Sequence, residues 1–181
     1  MPELAKNLKP LLSAQQIQQR IQELAHEIRR DYAEKHPVLV GVLKGAFMFL
    51  ADLVRELRFP LQCDFLKISS YGQQTESSGQ ISLQLDTTIP LTGRHVLVVE
   101  DIVDTGLTTA WLLEHLQKKS PASLRVCALL DKPARRRVEV PLDYVGFRIP
   151  NRFVVGYGID CAEAYRELDY IGYLADQEEN S

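Results

Sequence analysis

Apolar residues recur at helical spacing from Ser13 onward. In SAQQIQQRIQELAHEIRRDYAEKHP, Ile17, Ile21, Leu24, Ala25 and Ile28 share one face, the pattern of an amphipathic helix packed on a core. Ser13 offers an N-cap hydroxyl, and Pro37 stands beyond the end. VLVGVL, Val38 to Leu43, is a β-branched run without polar alternation, as a parallel strand buried on both faces should be. AFMFLADLVREL then reads as a helix. The order strand, turn, helix returns at HVLVVE, DIVDTG and LTTAWLLEHLQKK, and SLRVCALL adds a strand after Pro121. Such alternation predicts an α/β fold, a sheet with helical crossovers.

Two stretches break the rhythm. SSYGQQTESSGQ, residues 69–80, is polar with two glycines and no apolar period; it predicts a loop, and its length is unusual for a mere connector. The tail PLDYVGFRIPNRFVVGYGIDCAEAYRELDYIGYL carries short strands broken by Pro and Gly, which suggests a small irregular subdomain rather than another βα unit. No internal repeat or linker divides the chain, and 181 residues suit one domain, 1–181.

Composition narrows the class. With 45% hydrophobic residues, 25% charged residues and a net charge of −3, the chain reads as globular and lacks the basic surplus of a nucleic-acid binder. Cys63, Cys127 and Cys161 are an odd number, far apart, without a CxxC pair, so neither a disulfide framework nor a zinc site is indicated. A reducing cytoplasm is the expected location. No run of about 18 apolar residues suggests a membrane span.

The chemistry concentrates in HVLVVEDIVDTGLTT, His95 to Thr109, where a buried strand is expected to end in Glu100, Asp101 and Asp104 followed by TGLTT. Ligands of open parallel sheets bind outside the carboxyl ends of the strands. A Thr-Gly-x-Thr turn entering a helix can cradle a phosphate with free N–H groups and hydroxyls. Carboxylates repel such an anion, so Glu100 and Asp101 should face something neutral or cationic, such as sugar hydroxyls or a magnesium ion. A ribose bearing a 5′-phosphate meets both demands. Acids after a strand often serve only as caps, but the full run is more specific than a cap, and no GxxxxGK[ST] or GxGxxG competes with it.

VLVVEDIVDTGLT resembles the phosphoribosyl pyrophosphate signature of the type I phosphoribosyltransferases. VGVLKGAFMFLADL, KISSYG, ALLDKPARR and IPNRFVVGYGIDCAEAYREL resemble segments of their hypoxanthine-guanine branch. The likeness runs from about Val38 to Leu174. It implies a central, mostly parallel sheet flanked by helices (about 37–132), a flexible loop at 69–80, and a small hood from the N-terminal segment and about 143–175. The implied reaction is a pentosyl transfer of purine salvage: 5-phosphoribose moves from phosphoribosyl pyrophosphate to hypoxanthine, and to guanine as well, giving IMP or GMP and pyrophosphate, with Mg2+ as cofactor.

The resemblance also implies roles. Thr105, Gly106, Leu107 and Thr108 would hold the 5′-phosphate, and Glu100 and Asp101 would face the ribose hydroxyls directly or through magnesium. Asp104 would be the general base or acid near purine N7, a role suited to a carboxylate beside an oxocarbenium-like sugar. Lys44 and Gly45 match the pyrophosphate loop, in which the bond before the lysine can be cis. Ser70 and Tyr71 match a loop that closes over the reacting centre, and Arg166 a pyrophosphate-binding arginine. Phe153 would stack on the purine, Val154 would offer backbone groups to its edge, and Lys132 would contact O6. Asp160 would be a magnesium ligand beside the pyrophosphate. Homodimers or homotetramers are expected, with no nucleic-acid or membrane partner.

Some residues depart from this pattern or stay outside it. Asn151 stands where aspartate is common and Cys161 where tyrosine is common, and Arg152 could alter the charge near the base. His26, His36, His95 and His115 fall in no motif, Trp111 is expected in the core or an interface, and KPARRR reads as a solvated basic turn.

Overall fold

The computed structural model describes residues 8–70 and 81–174. Tyr71 and most of the polar stretch at 69–80 lie outside the described residues. The elements run β1 (Leu8–Leu12), α1 (Ala14–Tyr32), β2 (Val38–Leu43), α2 (Phe47–Leu57), β3 (Gln62–Ser70), β4 (Ile81–Leu85), β5 (His95–Val103), α3 (Leu107–Gln117), β6 (Ser123–Asp131), β7 (Tyr144–Arg148), β8 (Val154–Val155) and β9 (Ile171–Leu174). Six strands form a sheet in the order β4-β3-β2-β5-β6-β7, and β1-β9-β8 form a second, smaller one. All neighbours in the large sheet are parallel except β3 and β4.

The predicted helix begins as its sequence suggested. The Ser13 hydroxyl accepts from Gln16 N at 3.2 Å, and the Gln16 side chain accepts from Ser13 N at 2.9 Å, a reciprocal capping box that satisfies two otherwise free donors. Ile17, Ile21, Leu24 and Ile28 are fully buried; each contributes about 1.5–3 kcal/mol relative to an exposed side chain. They pack with Leu39, Leu97, Val99, Cys127, Leu129 and the α2 residues Phe49, Leu50, Leu53 and Leu57. The alternate strand residues Val38, Val40, Val96, Val98 and Val126 pack instead with Leu112 and Leu116 of α3. Period-two alternation thus gives the sheet two apolar faces, with α1 and α2 on one and α3 on the other.

The structure corrects four boundaries. Strand β5 continues through Val103, with Glu100 paired to Ala128 and Val103 to Asp131, so Asp101, Ile102 and Val103 belong to the strand and not to the turn after it. Ser69 and Ser70 lie in β3, not in a loop, because they pair with Ser82 and Ile81. The N-terminal Leu8–Leu12 is a strand, registered antiparallel on β9. Finally, β7 pairs in parallel with β6; residues expected in the hood extend the central sheet, because Tyr144 is buried in its main core. Among the described residues no helix is long and apolar enough to cross a membrane.

Candidate active site

At the carboxyl ends of β2 and β5 lies a cavity of about 210 Å³, lined among others by Leu43, Ile68, Glu100, Asp101, Asp104, Thr105, Gly106, Thr108 and Thr109. Gly106, at φ +82°, turns the chain from β5 into α3. A Cβ there would lie 2.2 Å from the Val138 carbonyl oxygen, so the turn admits only glycine on both steric and conformational grounds. The Thr105 carbonyl accepts from Arg137 N and Val138 N at 2.9 and 3.1 Å, and the Thr105 hydroxyl accepts from Leu107 N at 3.4 Å. The first amides of α3 have no partner within the helix and face the turn.

The two adjacent acids part company. Glu100 is buried toward α3, where its Oε1 accepts from the Thr109 hydroxyl at 3.3 Å. Asp101 points the other way, onto Gly45: a Cβ on Gly45 would stand 1.7 Å from Asp101 Oδ2. Strand alternation explains this separation of residues that look like one cluster in sequence. Burial, reinforced by the Asp101 charge, pushes the Glu100 carboxyl up to about 8. Burial likewise lifts Asp101 to about 6, against the opposing pull of backbone hydrogen bonds and Arg166.

An expected consequence concerns stability. Folded Glu100 keeps its proton to about pH 8, whereas the unfolded carboxyl releases it near 4.5. The folded state therefore binds more protons between those values, and its stability falls as pH rises through that window. Glu100→Gln keeps an acceptor for Thr109 and removes the titration. In magnesium-free buffer at pH 8.5, calorimetry should show a melting temperature raised by at least about 3 °C, with a flatter pH dependence. An unchanged or lower value would show that Glu100 is not buried at such cost.

Asp104 sits beyond the strand end with one oxygen engaged and one idle. Its Oδ2 lies 3.3 Å from Arg135 Nη1 and 3.7 Å from Lys132 Nζ. Its Oδ1 is buried without a hydrogen-bond partner. Lys132 is itself buried, and burial holds its ammonium below the usual lysine range, with Asp104 acting in the opposite sense. Lys132 Nζ donates to the Arg152 carbonyl at 3.1 Å, which brings it beside Phe153 and Val154. Phe153 is 38% exposed while Val154 is buried in β8. The Arg152 guanidinium lies over the Tyr173 ring, 4.8 Å from its centroid.

A third group forms where β2 ends. The Leu43–Lys44 peptide bond is cis. Gly158, at φ +96°, packs so closely on this turn that a Cβ would lie 2.3 Å from the Gly45 carbonyl oxygen. Arg166 Nη1 donates to the Gly158 carbonyl at 2.7 Å, and its Nη2 pairs with Asp160 Oδ1 at 2.8 Å. Lys44 Nζ meets Glu163 Oε2 at 2.8 Å. That hydrogen bond, foremost, holds the Glu163 carboxyl below its usual range.

The structure thus gathers Lys44, Gly45, Asp101, Asp160 and Arg166 on one side and Asp104, Lys132 and the Phe153–Val154 backbone on another. Glu100, expected with Asp101 at the ribose hydroxyls or their magnesium, turns away from Asp101 toward Thr109, and Asp160, expected as a magnesium ligand beside the pyrophosphate, pairs with Arg166. Sequence reasoning missed Glu163 and Arg136, and placed Thr109 in the phosphate turn, whereas its hydroxyl donates to Glu100. KPARRR is no simple solvated turn: Arg136 pairs with the buried Asp131 and donates from Nε to the Asp104 carbonyl at 3.1 Å. His95 bonds the Ser123 hydroxyl at 2.8 Å, and His115 meets Asp86 at 3.0 Å while stacking on Trp111.

A glycine turn into a helix N-terminus, beside carboxylates at the end of a central parallel strand, is where α/β enzymes bind their ligands. The chain belongs to the phosphoribosyl transferase domain family, whose profile matches residues 7–161. It is 50% identical over 170 residues to the hypoxanthine-guanine phosphoribosyltransferase of Mycobacterium avium, covering 91% of this chain and 84% of that one. It is 43% identical to the enzyme of the same name from Bacillus subtilis, with 92% of both chains covered. The crystal structure of a hypoxanthine phosphoribosyltransferase from Staphylococcus aureus superposes with a TM-score of 0.91 at 40% identity, covering 98% of each chain.

Proposed function

We propose that this chain transfers 5-phosphoribose from phosphoribosyl pyrophosphate to hypoxanthine, and to guanine, releasing pyrophosphate and forming IMP or GMP. The observation that carries this reading is the adjacency of Asp104 and Lys132. A carboxylate with one buried, idle oxygen stands next to a buried ammonium, a pair suited to the N7 and O6 edge of a 6-oxopurine. As the purine nitrogen bonds to C1′ and the C1′–oxygen bond to pyrophosphate breaks, the base becomes more acidic. Asp104 then takes the N7 proton, and its charge favours the cationic sugar in transit.

The other residues position the donor. The amides and hydroxyls of Thr105, Gly106, Leu107 and Thr108 would hold the 5′-phosphate. Glu100 and Asp101 would face the ribose hydroxyls from the two sides of β5. Lys44, Gly45 and Arg166 would meet the pyrophosphate, with Asp160 a magnesium ligand beside it, while Phe153 would cover the purine face and Val154 its edge. Glu100, a buried carboxyl with no cation beside it, and the adjacent Asp101 would suit Mg2+, which is commonly held by one or two carboxylates together with substrate oxygens and water. When bound, magnesium would neutralise the charge building on the leaving pyrophosphate.

Base selection tests the reading. Lys132 can only donate, so the 6-amino group of adenine sets donor against donor. With phosphoribosyl pyrophosphate and magnesium, hypoxanthine and guanine should each react with a kcat/KM at least 100-fold above that of adenine, because a site built for a hydrogen-bonded group strongly rejects its mismatch. Equal use of adenine would remove Lys132 from base recognition.

A further inference from the structure

The Lys44, Arg166 and Glu163 cluster contains one group that the proposed chemistry does not use. Glu163 Oε2 lies 2.8 Å from Lys44 Nζ and 3.4 Å from Arg166 Nη2, so a single carboxylate oxygen bridges two cations assigned to pyrophosphate. The loop presents it deliberately. Ala162 and Glu163 adopt left-handed backbone at φ +50° and +65°, and Asp160 Oδ2 fixes the turn by accepting from Glu163 N at 2.8 Å. Arg166 Nε, meanwhile, is buried and has no hydrogen-bond partner, so this arginine holds donor capacity in reserve.

The bridge does little for the fold. The Glu163 side chain is 65% exposed and that of Lys44 49%, and pairs in that setting contribute little to stability. The contact is therefore easily exchanged for another anion.

Resting on the assignment of Lys44 and Arg166 to the pyrophosphate, we propose that Glu163 is an internal counter-ion of that subsite, displaced by the pyrophosphate group on binding and returning as it leaves. Its carboxylate competes with the ligand for the same two cations and repels it once displaced. Glu163 thus weakens pyrophosphate binding and speeds release of that product. A merely structural residue would have the opposite signature, since disturbing the loop would misplace Arg166 and weaken binding.

Titration of the full-length protein with magnesium pyrophosphate, by calorimetry, separates these cases. Glu163→Gln keeps the backbone bond to Asp160 and removes the charge. It should tighten pyrophosphate binding at least threefold and lower the KM for phosphoribosyl pyrophosphate, with kcat reduced where release limits turnover. An unchanged or weakened affinity would overturn the counter-ion role. Arg166→Gln, measured alongside, tests the underlying assignment and should weaken binding at least tenfold. If Arg166→Gln weakens binding and Glu163→Gln leaves it unchanged, only the counter-ion proposal falls. If Arg166→Gln binds as wild type does, the subsite assignment falls and takes the proposal with it.

Discussion

Replacing Asp104 by asparagine is expected to lower turnover of hypoxanthine by roughly 10²–10⁴, the usual worth of a positioned general acid or base. Asparagine has nearly the same shape and keeps an oxygen to face Arg135 and Lys132, which lie 3.3 and 3.7 Å from Asp104 Oδ2. It cannot accept a proton at N7 or place negative charge near the reacting sugar. The backbone of the turn is held from elsewhere, by Arg136 Nε on the Asp104 carbonyl and by the two amides on the Thr105 carbonyl. The phosphate cradle should survive, so the loss should fall on kcat, with little change in the KM for phosphoribosyl pyrophosphate. Steady-state kinetics decide the matter: a near wild-type kcat would remove Asp104 from proton transfer.

A comparable loss is expected from Gly45→Ala. The added methyl carbon would stand 1.7 Å from Asp101 Oδ2 and 2.5 Å from its Cγ, distances no relaxed structure tolerates. Either Asp101 leaves its place or the Lys44–Gly45 turn retreats. Retreat would disturb Gly158, which already packs on the Gly45 carbonyl, and through it Arg166, bonded to the Gly158 carbonyl. Since Gly45 does not have the positive φ of the other site glycines, alanine there brings a steric problem and no backbone one. Misplacement of about 1 Å at a reacting centre can cost roughly 10² in rate. The variant should fold, with melting close to wild type, and lose about that much in kcat/KM. Full activity would mean that Asp101 and the turn are not functionally coupled.

How much of this was legible in the sequence differs by element. The α1 face, its Ser13 cap and the all-apolar β2 were readable because local periodicity and capping decide them. Strands β1, β3 and β4 were not, because their pairing partners are remote. Leu8–Leu12 acquires its role from β9 at the other end of the chain, and β3 carries Asp64 and Lys67 within its span, which obscures its period. The acidic run was recognised as a site, yet its division was hidden: spacing cannot reveal that Glu100 turns to Thr109 while Asp101 turns to Gly45 until β5 is seen to extend through Val103. Glu163 and Arg136 were passed over for the same physical reason. An isolated charge reads as solvated surface until folding brings Lys44 or Asp131 against it.

The most direct test of the central claim is product analysis. Wild-type protein is incubated with hypoxanthine, phosphoribosyl pyrophosphate and Mg2+, quenched, and resolved by anion-exchange chromatography. IMP should appear together with an equal amount of pyrophosphate, and GMP when guanine replaces hypoxanthine. Absence of nucleotide with both bases would contradict the assignment of this site to phosphoribosyl transfer onto a 6-oxopurine.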